Sequence, residues 1–283
     1  MKLARYRTPW GTQCGVVIDD GVVSFSSMGL SFFTLDELIA SGDEALDDIR
    51  ELARDRPPEH RLADIELLAP FPKPGKYLAI GMNFSKRVEE LRRMGANTAA
   101  YQMWFNKQTT CINDPYGLIE AGVSKKLDYQ VELGFVIGKR AKHVTRQDAL
   151  SHVFGYFVAN DVSARDWQFH SPTYTVGKSF DTHGPIGPWV VTADEVPNPQ
   201  TLQLRCLVNG ELRQDANTRD MIYPIADQIA YLSTAFTLEP GDLIATGTPE
   251  GVGMGMEPPR FLSSGDIVRC EIGGIGIIEN RVA

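Results

Sequence analysis

The feature that most constrains the fold is a polar pattern inside an apolar stretch of the chain, residues 127–137. At the two-residue period of a β-strand, Asp128, Gln130 and Glu132 share one face, and apolar side chains share the other. Side chains two residues apart on a strand lie roughly 7 Å apart and point the same way. The pattern therefore predicts a buried strand that presents several oxygen atoms to one place.

A second apolar run, residues 154–159, predicts another strand, and Asp161 lies just beyond its end. The side-chain oxygens of Gln130, Glu132 and Asp161 can converge on a single ion. A ligand set without His or Cys favours Mg²⁺ or Mn²⁺ over Zn²⁺. The alternative interpretation is that these side chains only face solvent from a wetted sheet. We assign Gln130, Glu132 and Asp161 as candidate metal ligands.

The charge of the chain narrows the class of partner. The net charge is -8, the pI is about 5.2, and the sequence contains no run of basic residues. This argues against nucleic acid or an anionic membrane as the main partner and favours a small molecule. No segment approaches the roughly 20 apolar residues of a membrane span, and the four cysteines are widely scattered. We therefore expect reduced, mostly buried thiols and a cytoplasmic protein.

The order of elements predicts a mixed α/β chain that is mainly β. An Asp-Gly turn at 20–21 between apolar flanks indicates a hairpin, and Thr34 with Glu37 forms a capping box before an apolar helical stripe that continues to about residue 54. The proline-rich stretch at 67–75 cannot form a regular helix or a central strand. We place a domain boundary there, giving a small N-terminal α/β domain, residues 1–70, and a catalytic domain, residues 71–283.

Four long motifs, in this order, closely resemble the fumarylacetoacetate hydrolase family. They are residues 131–141, 159–168, 177–185 and 245–253. The resemblance extends from Lys76 to Val282. It implies a mixed β-sandwich roll for the catalytic domain and a homodimer.

The resemblance also implies roles for particular residues. In the family, an acidic pair on a strand and a later Asp hold a divalent metal, and these positions fall on Gln130, Glu132 and Asp161. Gln130 stands where a Glu is usual. A Gly-x-Asn-aromatic turn precedes a lid helix that carries a His and a Glu over the metal. Here Glu90 matches the Glu, but Arg87 stands where the His is expected.

Further residues are expected to act on the substrate. Glu90 would be the general base that activates water, and Lys178 would add positive charge at the developing enolate. The family also tends to keep a Lys near the substrate, which corresponds to Lys107. The residues that we assign to substrate binding are Arg165, Gln168, Lys178, Asp181 and Thr248.

The function implied by the resemblance is metal-dependent cleavage of a C–C bond in a small oxo acid. A 2-oxo carboxylate can chelate a divalent ion, which then stabilises the enolate formed when the bond breaks. We expect hydrolysis of a 2,4-dioxo acid of the acylpyruvate or fumarylpyruvate type. The alternatives are an oxaloacetate-type decarboxylase, an oxo-acid isomerase, and a catalytically silent protein that binds oxo acids.

Overall fold

The computed structural model describes residues 1–97 and 99–283, in which β-strands predominate. The strands are β1 (Lys2–Thr8), β2 (Gly11–Ile18), β3 (Gly21–Ser24), β4 (His60–Arg61), β5 (Glu66–Leu68), β6 (Tyr77–Gly81), β7 (Met103–Asn106), β8 (Ile112–Asn113), β9 (Leu127–Asp128), β10 (Val131–Ile137), β11 (Val153–Asn160), β12 (Ser163–Ala164), β13 (Gly184–Thr192), β14 (Gln203–Val208), β15 (Glu211–Asn217), β16 (Leu243–Ala245), β17 (Ile267–Ile272) and β18 (Gly276–Arg281). The α-helices are α1 (Leu35–Ala40), α2 (Asp43–Ala53), α3 (Ser85–Arg93), α4 (Arg165–Gln168) and α5 (Ile225–Ala235).

One large mixed sheet forms the centre of the molecule. Its strand order is β4-β3-β2-β1-β13-β11-β10-β16-β6-β7, with β5 paired to β1 and β8 paired to β13. Most pairs are antiparallel, but β16 runs parallel to β6 and β8 runs parallel to β13. A four-stranded sheet, β15-β14-β17-β18, packs against β10, β11 and β13. This arrangement confirms the prediction of a mixed, mainly β fold.

The N-terminal segment is built onto the same large sheet. β1 pairs with β13, where Lys2 lies opposite Val191 and Leu3 lies opposite Val190. Leu3 and other buried side chains of this segment belong to one apolar core with Phe154 and neighbouring residues of the central strands. Residues 1–70 and 71–283 thus share a sheet and a core, and their division into two domains stays a prediction.

Of the three local predictions for the N-terminal segment, two are confirmed and one is wrong. The predicted hairpin is confirmed, since β2 and β3 pair and Ile18 lies opposite Gly21. The capping box of Thr34 and Glu37 is also confirmed at the start of α1. The single helix expected as far as residue 54 is wrong, because Gly42 adopts a positive φ of 80° and separates α1 from α2.

The central pair of strands positions the candidate site. All seven residues of β10 are buried, and β10 lies antiparallel to β11. Gly134 permits their close approach, since a Cβ atom there would lie 2.2 Å from the ring of Phe157. Because the strands are antiparallel, the start of β10 meets the end of β11, where Val131 lies opposite Asn160. Residues just outside these two strand ends are therefore brought together.

Two other predictions bear on the cysteines and on membranes. All four cysteines, Cys14, Cys111, Cys206 and Cys270, are buried and free, which confirms the expectation of buried thiols. Within residues 1–97 and 99–283, every helix is too short or too polar to cross a membrane.

Candidate active site

A pocket of about 110 Å³ opens where the ends of β10 and β11 meet α3 and α4. It gathers most of the residues that the sequence predicted for the site. Those that line it are Gln130, Glu132, Asp161, Arg165, Gln168, Lys178 and Thr248. Arg87 and the aromatic residues Phe105, Phe169 and Tyr174 complete much of the remaining wall.

The strand register explains why the three candidate ligands converge. Glu132 lies opposite Ala159, and the backbone N–H of Asp161 donates to the carbonyl oxygen of Gln130 at 2.9 Å. Gln130 and Glu132 are two residues apart along the chain, so both side chains reach the same face. Glu132 is 1% exposed and Asp161 is fully buried. The structure therefore places two buried carboxylates and one amide oxygen in one pocket.

Two lysines bind the carboxylate of Asp161. Lys107 Nζ donates to Asp161 Oδ1 at 2.6 Å, and Lys178 Nζ donates to both Asp161 Oδ2 and Gln130 Oε1. Burial opposes ionisation of Asp161, but the two ammonium groups outweigh it and lower its pKa. Lys107 also donates to the carbonyl oxygens of Lys178 and His183 and does not line the pocket. Its role is thus to hold Asp161, not to touch a substrate.

Glu132 and Lys178 have strongly shifted ionisation. Burial, followed by the charge of Asp161, raises the pKa of Glu132 to about 8. Burial lowers the pKa of Lys178 to about 8, although Asp161 opposes that shift. The Lys178 ammonium also lies 4.8 Å from the centroid of the Phe105 ring. Ionisation of Glu132 is therefore disfavoured in the pocket, and a bound cation would offset that cost.

The donor chemistry fits a hard divalent cation. Glu132 accepts one hydrogen bond from the described residues, given by the backbone N–H of Gly247 at 2.8 Å, so much of its carboxylate is free to ligate. Gln130 Oε1 accepts bonds from Ser163 Oγ, at 2.7 Å, and from Lys178, so it can ligate only if Lys178 releases it. In the described part of the chain no three His, Cys, Asp or Glu side chains form a metal-binding group. Glu132 and Asp161 would be the anionic ligands, with an amide as the third.

Helix α3, which the resemblance implies is a lid, places Arg87 and Glu90 differently relative to the pocket. Arg87 and Glu90 are both buried and form an ion pair one turn apart. The other oxygen of Glu90 accepts a bond from the Gly251 backbone N–H at 3.3 Å. A Cβ atom at Gly255 would lie 2.2 Å from Glu90, so the carboxylate packs against this glycine-rich loop. Arg87 lines the pocket and Glu90 does not.

The short helix α4 orients a second arginine. Arg165 Nε donates to Asp128 Oδ2 at 2.9 Å, and Arg165 Nη1 donates to Gln168 Oε1 at 2.8 Å. Arg165 Nη2 is buried and has no hydrogen-bond partner among residues 1–97 and 99–283. Because Arg165 lines the pocket, this guanidinium keeps a donor available to a bound anion.

Asp128 is a functional residue that the sequence analysis did not assign. Its carboxylate accepts the Arg165 bond and bonds from the backbone N–H groups of Gly253 and Met254, at 2.7 and 3.0 Å. It thus positions both Arg165 and the loop that contacts Glu90. The sequence could have indicated this residue, because at a period of two Asp128 shares the polar face with Gln130 and Glu132.

Thr248 lines the pocket and Asp181 does not, and their assignment to substrate binding stays a prediction. The Thr248 hydroxyl donates to the Val131 carbonyl at 2.8 Å and accepts from Gln214 Nε2 at 2.9 Å, so its only proton is used inside the protein. Asp181 is exposed and is not among the residues that line the pocket. The preceding Phe180 packs its ring on Trp167 and His183, which turns the chain toward the surface at Asp181.

Comparison with known proteins is consistent across sequence and structure. A family profile described as fumarylacetoacetate (FAA) hydrolase C-terminal matches residues 76–283. The protein named oxaloacetate tautomerase FAHD2B, mitochondrial, from Bos taurus is 40% identical over 252 residues, which are 88% of this chain and 79% of that protein.

Solved structures share the fold over the whole chain. Fumarylacetoacetate hydrolase (EaFAH) from Exiguobacterium antarcticum has a TM-score of 0.86 and 36% identity, and covers 100% of this chain and 99% of its own. Maleylpyruvate hydrolase from Sphingobium sp. SYK-6, in complex with manganese(II) and pyruvate, has a TM-score of 0.83 and 32% identity, with the same coverage. The chain therefore belongs to the fumarylacetoacetate hydrolase family of enzymes that process oxo acids.

Proposed function

We propose that the protein is a divalent-metal-dependent enzyme that interconverts the keto and enol forms of a small 2-oxo diacid such as oxaloacetate. One observation carries this proposal. Both carboxylate oxygens of Glu90 are bonded inside the protein, by Arg87 and by Gly251, whereas the ammonium of Lys178 faces the pocket. The site thus offers a group that can move a proton and keeps the Glu90 carboxylate out of the pocket wall.

Tautomerisation requires fewer catalytic groups than hydrolysis. Hydrolysis of a C–C bond requires a base that activates water, and Glu90 neither lines the pocket nor has a free oxygen. Tautomerisation moves one proton from the enol oxygen at C2 to C3, and no atom is gained or lost. Lys178 would deliver a proton to C3 and take one back from the C2 oxygen. The tautomerase activity in the name of the bovine relative supports this assignment.

The other pocket residues would bind and orient the acid. Glu132 and Asp161 would hold Mg²⁺ or Mn²⁺, with Gln130 as the third ligand. When bound, the cation would supply positive charge against the negative charge that develops on the C2 oxygen. The free Nη2 of Arg165 would donate to a substrate carboxylate, and Gln168 would fix that arginine. The manganese complex of the maleylpyruvate hydrolase supports a divalent metal.

Hydrolysis of a 2,4-dioxo acid, the reaction first expected from the sequence, is the second candidate. It is favoured by the similarity to the maleylpyruvate hydrolase over the whole chain. It is also favoured by the length of the bond between Gly251 N and Glu90, 3.3 Å, since a weak bond holds that oxygen loosely. A homodimer and a cytoplasmic location remain predictions, and the bovine relative is named as mitochondrial.

A turnover screen separates the candidates. The protein is mixed with Mg²⁺ or Mn²⁺ and with oxaloacetate, an acylpyruvate or fumarylpyruvate. The enol is followed by its ultraviolet absorbance and released pyruvate by coupled lactate dehydrogenase. We expect faster enol decay with oxaloacetate and no more pyruvate than in a protein-free control, because Mg²⁺ and Mn²⁺ alone decarboxylate oxaloacetate slowly. Pyruvate above that control from a dioxo acid would establish hydrolysis, pyruvate above it from oxaloacetate would establish decarboxylation, and no change from the control in any assay would refute catalysis.

Two variants sharpen this test. Lys178→Met should abolish tautomerisation, because it removes the ammonium that carries the proton. Glu90→Gln should affect tautomerisation only through the position of Arg87, and so raise KM more than it lowers kcat, but it would abolish hydrolysis. A chelator that removes divalent ions should lower turnover in either case.

A further inference from the structure

The pocket contains two guanidinium groups that are buried together. Arg87, from α3, and Arg165, from α4, are 5% and 6% exposed, and both line the pocket. Burial lowers the pKa of Arg87, and the nearby charge of Arg165 lowers it further. Like charges held this close repel each other and are destabilising unless an anion lies between them. Each guanidinium is paired with one carboxylate, Arg87 with Glu90 and Arg165 with Asp128, and an anion in the pocket would lower the remaining repulsion between the two arginines.

Each guanidinium also has hydrogen-bond donors to spare. Arg165 Nη2 is buried without a partner in the described part of the chain. Arg87 forms one side-chain hydrogen bond with the described residues, from Nη1 to Glu90. A guanidinium carries five N–H donors in a planar fork that matches a carboxylate, and leaving the buried Nη2 of Arg165 without an acceptor is costly. A carboxylate placed between the two arginines would satisfy both.

We infer that Arg87, together with Arg165, binds a second carboxylate of the substrate and makes the enzyme selective for dicarboxylic oxo acids. The inference rests on the proposed function, because it names the substrate class of that same site. One carboxylate and the 2-oxo group belong at the end of the pocket that holds Glu132 and Asp161. A distal carboxylate would then lie against the two arginines, whereas a distal alkyl group would leave their pocket-facing donors without an acceptor.

Glu90 acts here as a positioning residue. Its ion pair holds one end of the Arg87 guanidinium, and its other oxygen is held by Gly251 at 3.3 Å. This fixes Arg87 with its remaining donors toward the pocket that it lines. The Glu90 carboxylate thus contributes to substrate binding indirectly, by orienting Arg87.

A matched pair of unreactive ligands tests the inference by binding alone. Malate and 2-hydroxybutanoate differ only in a distal carboxylate or methyl group, and neither can tautomerise. Calorimetry with Mg²⁺ present should show that Arg87→Met weakens malate binding by roughly 10- to 100-fold and changes 2-hydroxybutanoate binding by less than about twofold. Arg87→Lys should recover part of the loss, because a lysine keeps the charge but not the fork.

Controls separate a direct contact from a disturbed fold. Arg93→Met changes an exposed arginine of the same helix outside the pocket and should bind both acids like the parent. The double variant Arg87→Met/Glu90→Gln removes the carboxylate left unpaired and should show the same loss for malate. Equal losses for both acids, unchanged malate binding, or restored malate binding in the double variant would each overturn the inference. Selectivity that depends on Arg87 in a protein without turnover would uphold it and refute only the proposed reaction.

Discussion

Replacing Gln130 by glutamate tests directly whether this side chain takes part in metal binding. Gln130 is 6% exposed and lies just before β10, in the same pocket as Glu132, and its backbone carbonyl oxygen accepts a bond from the N–H of Asp161. Its amide oxygen can ligate Mg²⁺ but brings no net charge. Gln130→Glu would add a third anionic ligand to a site that has two.

The magnitude follows from Coulomb's law and the cost of burial. At an effective dielectric constant of about 20, a unit charge at about 4 Å contributes on the order of 4 kcal/mol. Desolvation of the new carboxylate offsets much of this, and so does its attraction to the Lys178 ammonium, which already donates to Gln130. A net gain of about 1.4 kcal/mol or more remains, which tightens Mg²⁺ binding by roughly tenfold or more.

Calorimetric titration of Mg²⁺ into the parent and Gln130→Glu measures this gain. Gln147→Glu is a matched control, because it makes the same change of charge on an exposed residue outside the pocket. We expect the control to bind Mg²⁺ like the parent. Equal affinities for all three proteins would show that Gln130 is not a ligand, and no binding by any of them would refute the metal assignment itself.

Three further predictions concern residues around the site. Asp128→Asn should raise the KM for an oxo acid at least roughly tenfold with a smaller change in kcat, because Arg165 loses its ionic partner; an unchanged KM in steady-state kinetics would contradict this. Lys107→Met should lower the free energy of unfolding by about 3 kcal/mol in urea titrations, because it breaks a fully buried pair with Asp161; a loss below about 1 kcal/mol would argue against it. Burial lowers the pKa of His183 to about 4, against about 6.5 in the unfolded chain, so the unfolded state binds the proton first and stability falls as the pH drops below about 6.5. Between about pH 7 and pH 5 the parent should lose about 2 kcal/mol more stability than His183→Gln in urea unfolding, and the same pH dependence in both proteins would exclude His183 as the cause.

The candidate metal ligands could be predicted because their spacing is local. A period of two fixes which side chains share a strand face, and the polar face of Gln130 and Glu132 is visible in the sequence alone. The sequence also placed Asp161 just beyond the next apolar run, but its approach to the other two residues depends on the antiparallel pairing of β10 and β11. The capping box of Thr34 and the hairpin near Gly21 are equally local, and both are confirmed.

Features that depend on contacts distant in sequence could not be predicted. The pairing of β1 with β13 joins the N-terminal strands to the central strands of the large sheet, which are far apart in the chain, and periodicity carries no information about partners. The burial of Lys107 depends on three acceptors, each at least 54 residues away. The orientation of Glu90 depends on a glycine loop 161 residues later. For each of these, the residue type was visible but its neighbours were not.

The charges of the pocket lead to a last prediction, that the metal and the diacid strengthen each other's binding. Arg87, Arg165 and Lys178 line the same pocket as the candidate ligands and repel a divalent cation. A diacid that pairs with the arginines removes part of this repulsion, so malate should tighten Mg²⁺ binding, and by linkage Mg²⁺ should tighten malate binding by the same factor, roughly 5- to 150-fold. Simple chelation of the metal by the acid would give a factor that does not depend on Arg87. Calorimetric titration of Mg²⁺ with and without saturating malate should therefore give a smaller factor for Arg87→Met than for the parent, and an identical factor would show that the coupling does not pass through this arginine.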